Sequence, residues 1–252
     1  KRVELAQNTK CRSAYARKEA IVAHGEIRRN PALGRTWRHL ATKGLESFYT
    51  GSMAQALAAD LAEIGSPLTL QDFSDQKATL THPLQTNLKD CTLYNTPPPT
   101  QGVASLAILK LFDALDAPHA ESFAHVHGLV EATKQAFLFR NAHVGDPAFM
   151  TECAQSFLND TKRMQQLACT IDMHKALPWP FPSQQGDTTW MGAIDASGVA
   201  VSMIQSLYFE FGSGVFLPQT GIIWQNRGSS FQLSETGWNA LRPGRKPLHT
   251  LN

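Results

Sequence analysis

The 252 residues carry 23 Lys and Arg against 21 Asp and Glu, with 42% hydrophobic and 17% charged residues. A net charge of +2 without a dense Lys/Arg cluster argues against nucleic acid and membrane surfaces as partners, and no apolar run is long enough to span a bilayer. What remains is a globular chain able to bury one good core or two small ones.

In chain order, Lys1 to Arg38 mixes basic, acidic and apolar residues and reads as a solvated face. Arg35 to Leu45 and Ser52 to Ile64 place apolar residues at three- and four-residue spacing, predicting helices, with Gly65 as a stop. Thr69 with Asp72 three residues on predicts a capped helix start. Alternation predicts strands over Thr79 to Leu84 and Cys91 to Tyr94, the second broken by Pro97-Pro98-Pro99. Pro97 to Gly102 is expected to form a rigid turn near a substrate cleft, and Gln101-Gly102 to open a helix through Leu115. Glu121 to Asn141 is the longest amphipathic stretch, and Asp146-Pro147 predicts a further helix start near Ala148. PWPFPSQQG, from Pro178 to Gly186, predicts a loop. Short strands follow at Trp190–Ile194, Val199–Leu207 and Gly221–Gln225, the first pair joined by a turn at Asp195-Ala196-Ser197-Gly198. Helical first, then sheet, is the organisation this predicts.

The four cysteines lie far apart without CxxC spacing and are expected to be free and mostly buried. His125-Val126-His127 is the tightest histidine pair, but neighbours at i and i+2 point to different sides of a helix, so no metal and no cofactor is expected. Gly212 and Gly214 lack the Lys and helix of a phosphate loop and read as a strand turn. No signal peptide is recognisable, and the chain, which does not begin with Met, is expected to be a piece of a longer polypeptide, cytoplasmic rather than periplasmic.

Chemistry concentrates at Asp187-Thr188-Thr189-Trp190. A Thr hydroxyl is a weak nucleophile and needs a base. A Thr at a chain N-terminus supplies its own, because a free α-amine titrates at roughly 7.7–8.0 and is largely unprotonated near neutral pH. An amide nitrogen cannot do this, so the reading requires a cut between Asp187 and Thr188, with slack supplied by the Pro-rich loop. Ser206, one hairpin away, is placed to hydrogen-bond the Thr188 hydroxyl. Thr-Thr before an apolar strand also has a plain explanation in the β preference of Thr.

The surrounding segments carry more. GDTTWMGAIDASGVAVSMIQS, FGSGVFLPQTGIIWQNRGSSF and PGRKPLHTL are similar to the small-subunit start of the γ-glutamyltranspeptidase family. LATKGLESFYTGSMAQALAADL, YNTPPPTQG and EATKQAFLFRNAHVGDPAF resemble its large subunit, in the family's order. The resemblance implies an α+β fold, the four-layer α/β/β/α sandwich of the N-terminal-nucleophile hydrolases, incomplete in this chain. Residues 1–187 would be a mainly helical large-subunit-like segment and 188–252 the start of the small-subunit-like β segment. It also implies self-cleavage before Thr188, Thr188 as nucleophile and Ser206 as its support.

At positions that in the family hold a substrate α-amino group with polar and acidic side chains, this chain has Tyr208, Arg227 and Ser230, none of them acidic. Asn226 and Ser229 flank Arg227 and complete the expected substrate-binding set. Arg227 would repel an ammonium and pair with a carboxylate. The expected partner is therefore a small-molecule amide whose acyl part is anionic, as for the oxamate amidohydrolase and glutaryl-acylase members of the family. A γ-glutamyl transferase or glutathione hydrolase, and a non-catalytic structural or binding module, remain as alternatives. The family's glycine oxyanion donors lie far downstream of the nucleophile, and its carboxylate-binding Arg upstream of Lys1. The rest of the same precursor, or its other subunit, is thus an expected partner, and these residues alone should be nearly inactive.

Overall fold

A computed structural model describes residues 12, 15–17, 20–21, 24–117, 119–180, 188–209 and 211–251. The chain folds as two compact units, each made from two separate stretches. One combines Lys1–Thr79 with Gln185–Asn226, the other Leu80–Gln184 with Arg227–Asn252.

The first unit holds β1 (Ala16–Arg17) and β2 (Ala20–Ile21), then helices α1 (Pro31–Lys43), α2 (Gly51–Glu63) and α3 (Leu70–Asp75). Asn30 caps α1 by accepting the Leu33 N–H, and Pro31 fits the first helical position, where no N–H is needed. As predicted, α2 stops at Gly65, whose φ of 76° suits a glycine. At α3, Thr69 and Asp72 form the expected reciprocal box, with the Asp72 carboxylate accepting the Thr69 N–H at 2.7 Å. Met53, Ala54, Leu57 and Leu61 of α2 bury one face against Phe73 and Leu217.

The chain returns to this unit as two hairpins. Strand β5 (Thr189–Ile194) pairs antiparallel with β6 (Ala200–Gln205), and β7 (Phe216–Leu217) with β8 (Ile222–Ile223). The β7–β8 loop is fastened to the helices by polar side chains. Thr36 Oγ1 donates to Thr220 O (2.8 Å), Asn30 Nδ2 donates to Gly221 O (2.7 Å), and buried Asp60 accepts from Gln219 Nε2 (2.8 Å). Gly221, at φ 71°, sits so close to α1 that a Cβ there would meet Leu33 N at 2.4 Å.

The second unit contains the antiparallel pair β3 (Leu84–Asn87) and β4 (Thr92–Asn95), and helices α4 (Gly102–Ala114), α5 (Phe123–His143), α6 (Ala154–Asn159) and α7 (Thr161–Cys169). Its core joins Leu84, the α4 residues Val103, Leu106 and Leu111, Ala132, Ala136 and Phe139 of α5, and Phe157 and Leu158 of α6. The Phe139 and Phe157 rings stack at 3.6 Å.

Several expectations shift. The strand predicted over Thr79 to Leu84 lies instead at β3, because residues pair where β4 supplies a partner; Leu80 is fully exposed. The helix expected near Ala148 is only a 3₁₀ turn, Pro147–Phe149, and the regular helices come later, at α6 and α7. α5 is not amphipathic in the expected sense. Its buried residues include the small Gly128, Ala132 and Ala136, which allow close approach, together with Phe139, while Phe123, Val126 and Val130 are exposed. Buried Glu131 on that face binds Lys134 Nζ (2.6 Å) and the Leu177 N–H (3.1 Å), and Lys134 also donates to Leu177 O (2.7 Å). Burial pushes the Glu131 carboxyl up, but these donors outweigh it and hold it below its ordinary range. The cysteines at 91, 153 and 169 are free as expected, but exposed rather than buried; Cys11 lies outside the described residues.

Candidate active site

In the first unit the β5–β6 register sets Thr189 opposite Gln205, so the next residues outward, Thr188 and Ser206, face one another at the open end of the hairpin. Thr188 Oγ1 donates to Ser206 Oγ at 3.2 Å, the contact expected from the sequence. Ser206 Oγ also accepts the Tyr208 N–H at 2.8 Å. Two donors converge on one hydroxyl oxygen, which fixes the rotamers of both Thr188 and Ser206. Asp187 lies outside the described residues.

The turn after β6 is unusual. Tyr208 adopts φ 79°, a left-handed conformation that costs a non-glycine residue about 1 kcal/mol or more. Asn226 stabilises it from across the unit, its N–H donating to Leu207 O (3.3 Å) and its Oδ1 accepting the Phe209 N–H (3.4 Å). Thr188, Ser206, Tyr208 and Asn226 thus form one connected constellation.

On the same strand face, two residues inward from Thr188, the Trp190 indole lies across Gly192 and donates from Nε1 to Ser202 Oγ (3.0 Å). A Cβ at Gly192 would come within 2.7 Å of that ring. At the far end, Asp195 Oδ1 accepts from the Ser197 and Val199 N–H groups and from the Ser197 hydroxyl, which closes the predicted turn. The Ser197 hydroxyl and the Val199 N–H lead in holding the Asp195 carboxyl below its ordinary value.

Arg227, Ser229 and Ser230 occupy a 3₁₀ turn in the second unit. Arg227 is buried, with Nη1 donating to Thr250 Oγ1 at 2.8 Å and lying 3.5 Å from Ser230 Oγ. Ser229 is exposed on the same turn. Asn239, itself buried, staples this turn to the PLHT segment: its Nδ2 donates to Ser230 O (2.7 Å) and its Oδ1 accepts the Leu248 N–H (3.3 Å). The His249 N–H donates to Pro99 O at 2.8 Å, which ties the Pro97–Gly102 turn to the segment. Burial, then the neighbouring Arg227 charge, pushes the His249 imidazole down, so it is neutral at physiological pH. Its Nδ1 accepts the Leu251 N–H (3.3 Å), which leaves the proton on Nε2.

The sequence reading missed Thr250, Asn239, Gln101 and Arg140 as parts of this network. Gln101 donates to Thr250 O and accepts from Arg140. PLHT was the available signal for Thr250; nothing local marks the others, whose partners lie far along the chain.

A cavity of about 500 Å³ in the second unit is lined by Leu84, Pro97, Pro98, Pro147, Met150 and Cys153, among others. None of the residues expected at the site lines it. Among the described residues there is no group of three His, Cys, Asp or Glu able to hold a metal. His125 packs its ring edge-on against Phe112, and His127 Nε2 meets Asp172 O at 2.9 Å, so the two imidazoles point different ways. No helix among the described residues is long and apolar enough to cross a membrane.

Helices with small antiparallel strand pairs make this an α+β protein, and comparison with known proteins places its fold with the N-terminal-nucleophile hydrolases. The chain belongs to the gamma-glutamyltranspeptidase family, whose model matches residues 1–252. It is 49% identical over 224 residues to the oxamate amidohydrolase proenzyme of Klebsiella pneumoniae subsp. pneumoniae, covering 89% of this chain and 42% of that protein. It is 40% identical over 214 residues to the glutathione hydrolase-like YwrD proenzyme of Bacillus subtilis, covering 84% and 40%. Among solved structures it is similar to cephalosporin acylase from Bacillus halodurans, with a TM-score of 0.86 and 30% identity over 98% of this chain and 45% of that one. The chain therefore spans less than half the length of these relatives.

Proposed function

We propose that the complete polypeptide is an amidohydrolase matured by cleavage between Asp187 and Thr188, with Thr188 as its nucleophile. The observation that carries this is the Thr188 Oγ1–Ser206 Oγ contact of 3.2 Å at the open end of β5–β6. Freed at its nitrogen, Thr188 has a base within its own residue. The α-amine takes the hydroxyl proton as Oγ forms a bond to the amide carbonyl carbon. It then returns that proton to the leaving nitrogen as the C–N bond breaks. An ester remains on Thr188, and water, activated by the same amine, releases the acid and restores the hydroxyl. Ser206, steadied by the Tyr208 N–H, orients the nucleophile. Residues 1–187 and 188–252 then belong to two subunits of one precursor.

For the substrate, we propose an amide whose acyl part carries a carboxylate, of the oxamate or glutaryl kind. Support comes from Arg227, which donates to Thr250 Oγ1, lies 3.5 Å from Ser230 Oγ and neighbours His249. The guanidinium charge itself favours an anion and repels an ammonium. Asn226 and Ser229 flank Arg227 in the chain and are assigned to the same recognition. A γ-glutamyl transferase or glutathione hydrolase is the second reading, favoured by the names of the Bacillus and other relatives.

Mass spectrometry of the polypeptide, expressed with whatever flanks residues 1–252 in its reading frame, tests the first step. Two pieces meeting at Asp187/Thr188 are expected, and one uncut piece after Thr188→Ala. A wild-type chain that turns over amides while uncut would end the proposal.

A further inference from the structure

The Trp190 indole leans along β5 away from Thr188. Its six-membered ring lies over Gly192, where a Cβ would come within 2.7 Å of two ring carbons. Its Nε1 donates to Ser202 Oγ at 3.0 Å, and Ser202 stands directly opposite Gly192 on β6. The φ of Gly192 lies outside the left-handed region, so the ring, and not the backbone, is what a side chain there would disturb. The indole is largely exposed, so among the described residues the missing Cβ and the Ser202 bond set its pose. Same-face neighbours along a strand are about 7 Å apart. Trp190 is therefore the first side chain of β5 that a group bonded to Thr188 Oγ1 meets on that face. A Trp barred from one staggered well takes another, and the well that points back along the strand brings the ring beside Thr188.

We propose that Trp190, laid down by Gly192 and Ser202, determines which acyl groups the enzyme accepts. The indole is the wall along which the acyl chain of the Thr188 ester extends, and its pose leaves room for chains longer than the two carbons of an oxalyl group. The inference rests on the reading that Thr188 is the nucleophile. The acyl group, unlike the leaving amine, stays bonded to Oγ1 through both halves of the reaction, so a neighbour of Oγ1 restrains it throughout. Gly192 and Ser202 are positioning residues that act through the ring.

The test assays the complete polypeptide on oxalyl anilide, glutaryl anilide and glutaramate, the glutaryl amide of ammonia. The first two differ only in the acyl group, the last two only in the amine. Gly192→Ala should lower kcat/KM about tenfold for both glutaryl substrates, the scale on which a pocket discriminates by a methylene or two, and less than about threefold for oxalyl anilide. Combining it with Trp190→Ala should return activity to the level of Trp190→Ala alone, because the added methyl acts through the ring. That double variant also separates the effect from a folding defect. Ser202→Ala should show the same selectivity with a loss of about threefold, the worth of one hydrogen bond. Equal losses on all three amides, or losses that the double variant does not relieve, overturn the proposal. Losses confined to the two anilides set the ring against the leaving amine and overturn the acyl assignment, as does a processed wild-type protein that hydrolyses none of the three. A wild-type protein that turns these amides over while uncut at Asp187/Thr188 overturns the nucleophile reading itself, and the mass of the protein tells the two failures apart.

Discussion

The two hairpins of the first unit are built on opposite terms. β7–β8 is short, yet Leu217 and Thr220 are buried and its loop is bolted to α1 and α2 by Thr36, Asn30 and Asp60. β5–β6 is three times as long in residues per strand, six against two, and both its faces are apolar and open. Trp190 and Ile194 are 64% and 73% exposed on one face, and Val201 is 57% exposed on the other. Apolar residues on both faces are the pattern of a strand covered from both sides. The β5–β6 hairpin therefore owes its shape, among the described residues, to cross-strand pairing and the Asp195 turn, not to a core. Local hydrogen bonds suffice to bring Thr188 and Ser206 together.

Glycine substitutions break this contrast most sharply. Gly221→Ala puts a Cβ 2.4 Å from Leu33 N and 2.5 Å from Asn30 Oδ1, at φ 71°. Left-handed strain and overpacking together should cost roughly 3 kcal/mol, read as a shift in the denaturant midpoint of residues 1–252. Gly198→Ala has φ 88° but open space around it, so only the strain applies and about 1 kcal/mol is expected. Least affected should be Val201→Ala, within about 0.5 kcal/mol in this stretch of chain because nothing described covers it. The same change in the complete polypeptide should cost more, about 1–3 kcal/mol, if both faces are buried there. Equal values in the two contexts would show that the faces stay open.

How much of this the sequence revealed follows from the reach of each interaction. The Thr69–Asp72 box, the Gly65 stop and the Asp195–Gly198 turn all close within five residues, and all were legible. So was the Thr188–Ser206 pair, since the even register of one hairpin dictates it. β3 was misplaced because alternation at Thr79 to Leu84 says nothing about where a partner strand lies. α6 and α7 went unread for a related reason: their short apolar repeats, around Phe157 and Met164, gain meaning only against Leu84 and α4. The Arg227 surroundings were least visible of all. Gln101 and Thr250 meet across a separation of 149 residues, and a single Gln opening a helix looks like any other.

The interleaving of the units bears on what a cut before Thr188 would leave behind. Lys1–Thr79 would stay folded around residues 188–226, and Leu80–Gln184 around Arg227–Asn252, so each unit would contain polypeptide from both products. Severing one peptide bond would then free a terminus without freeing a fragment. The products should co-elute in native buffer and part only when denaturant dissolves both units together.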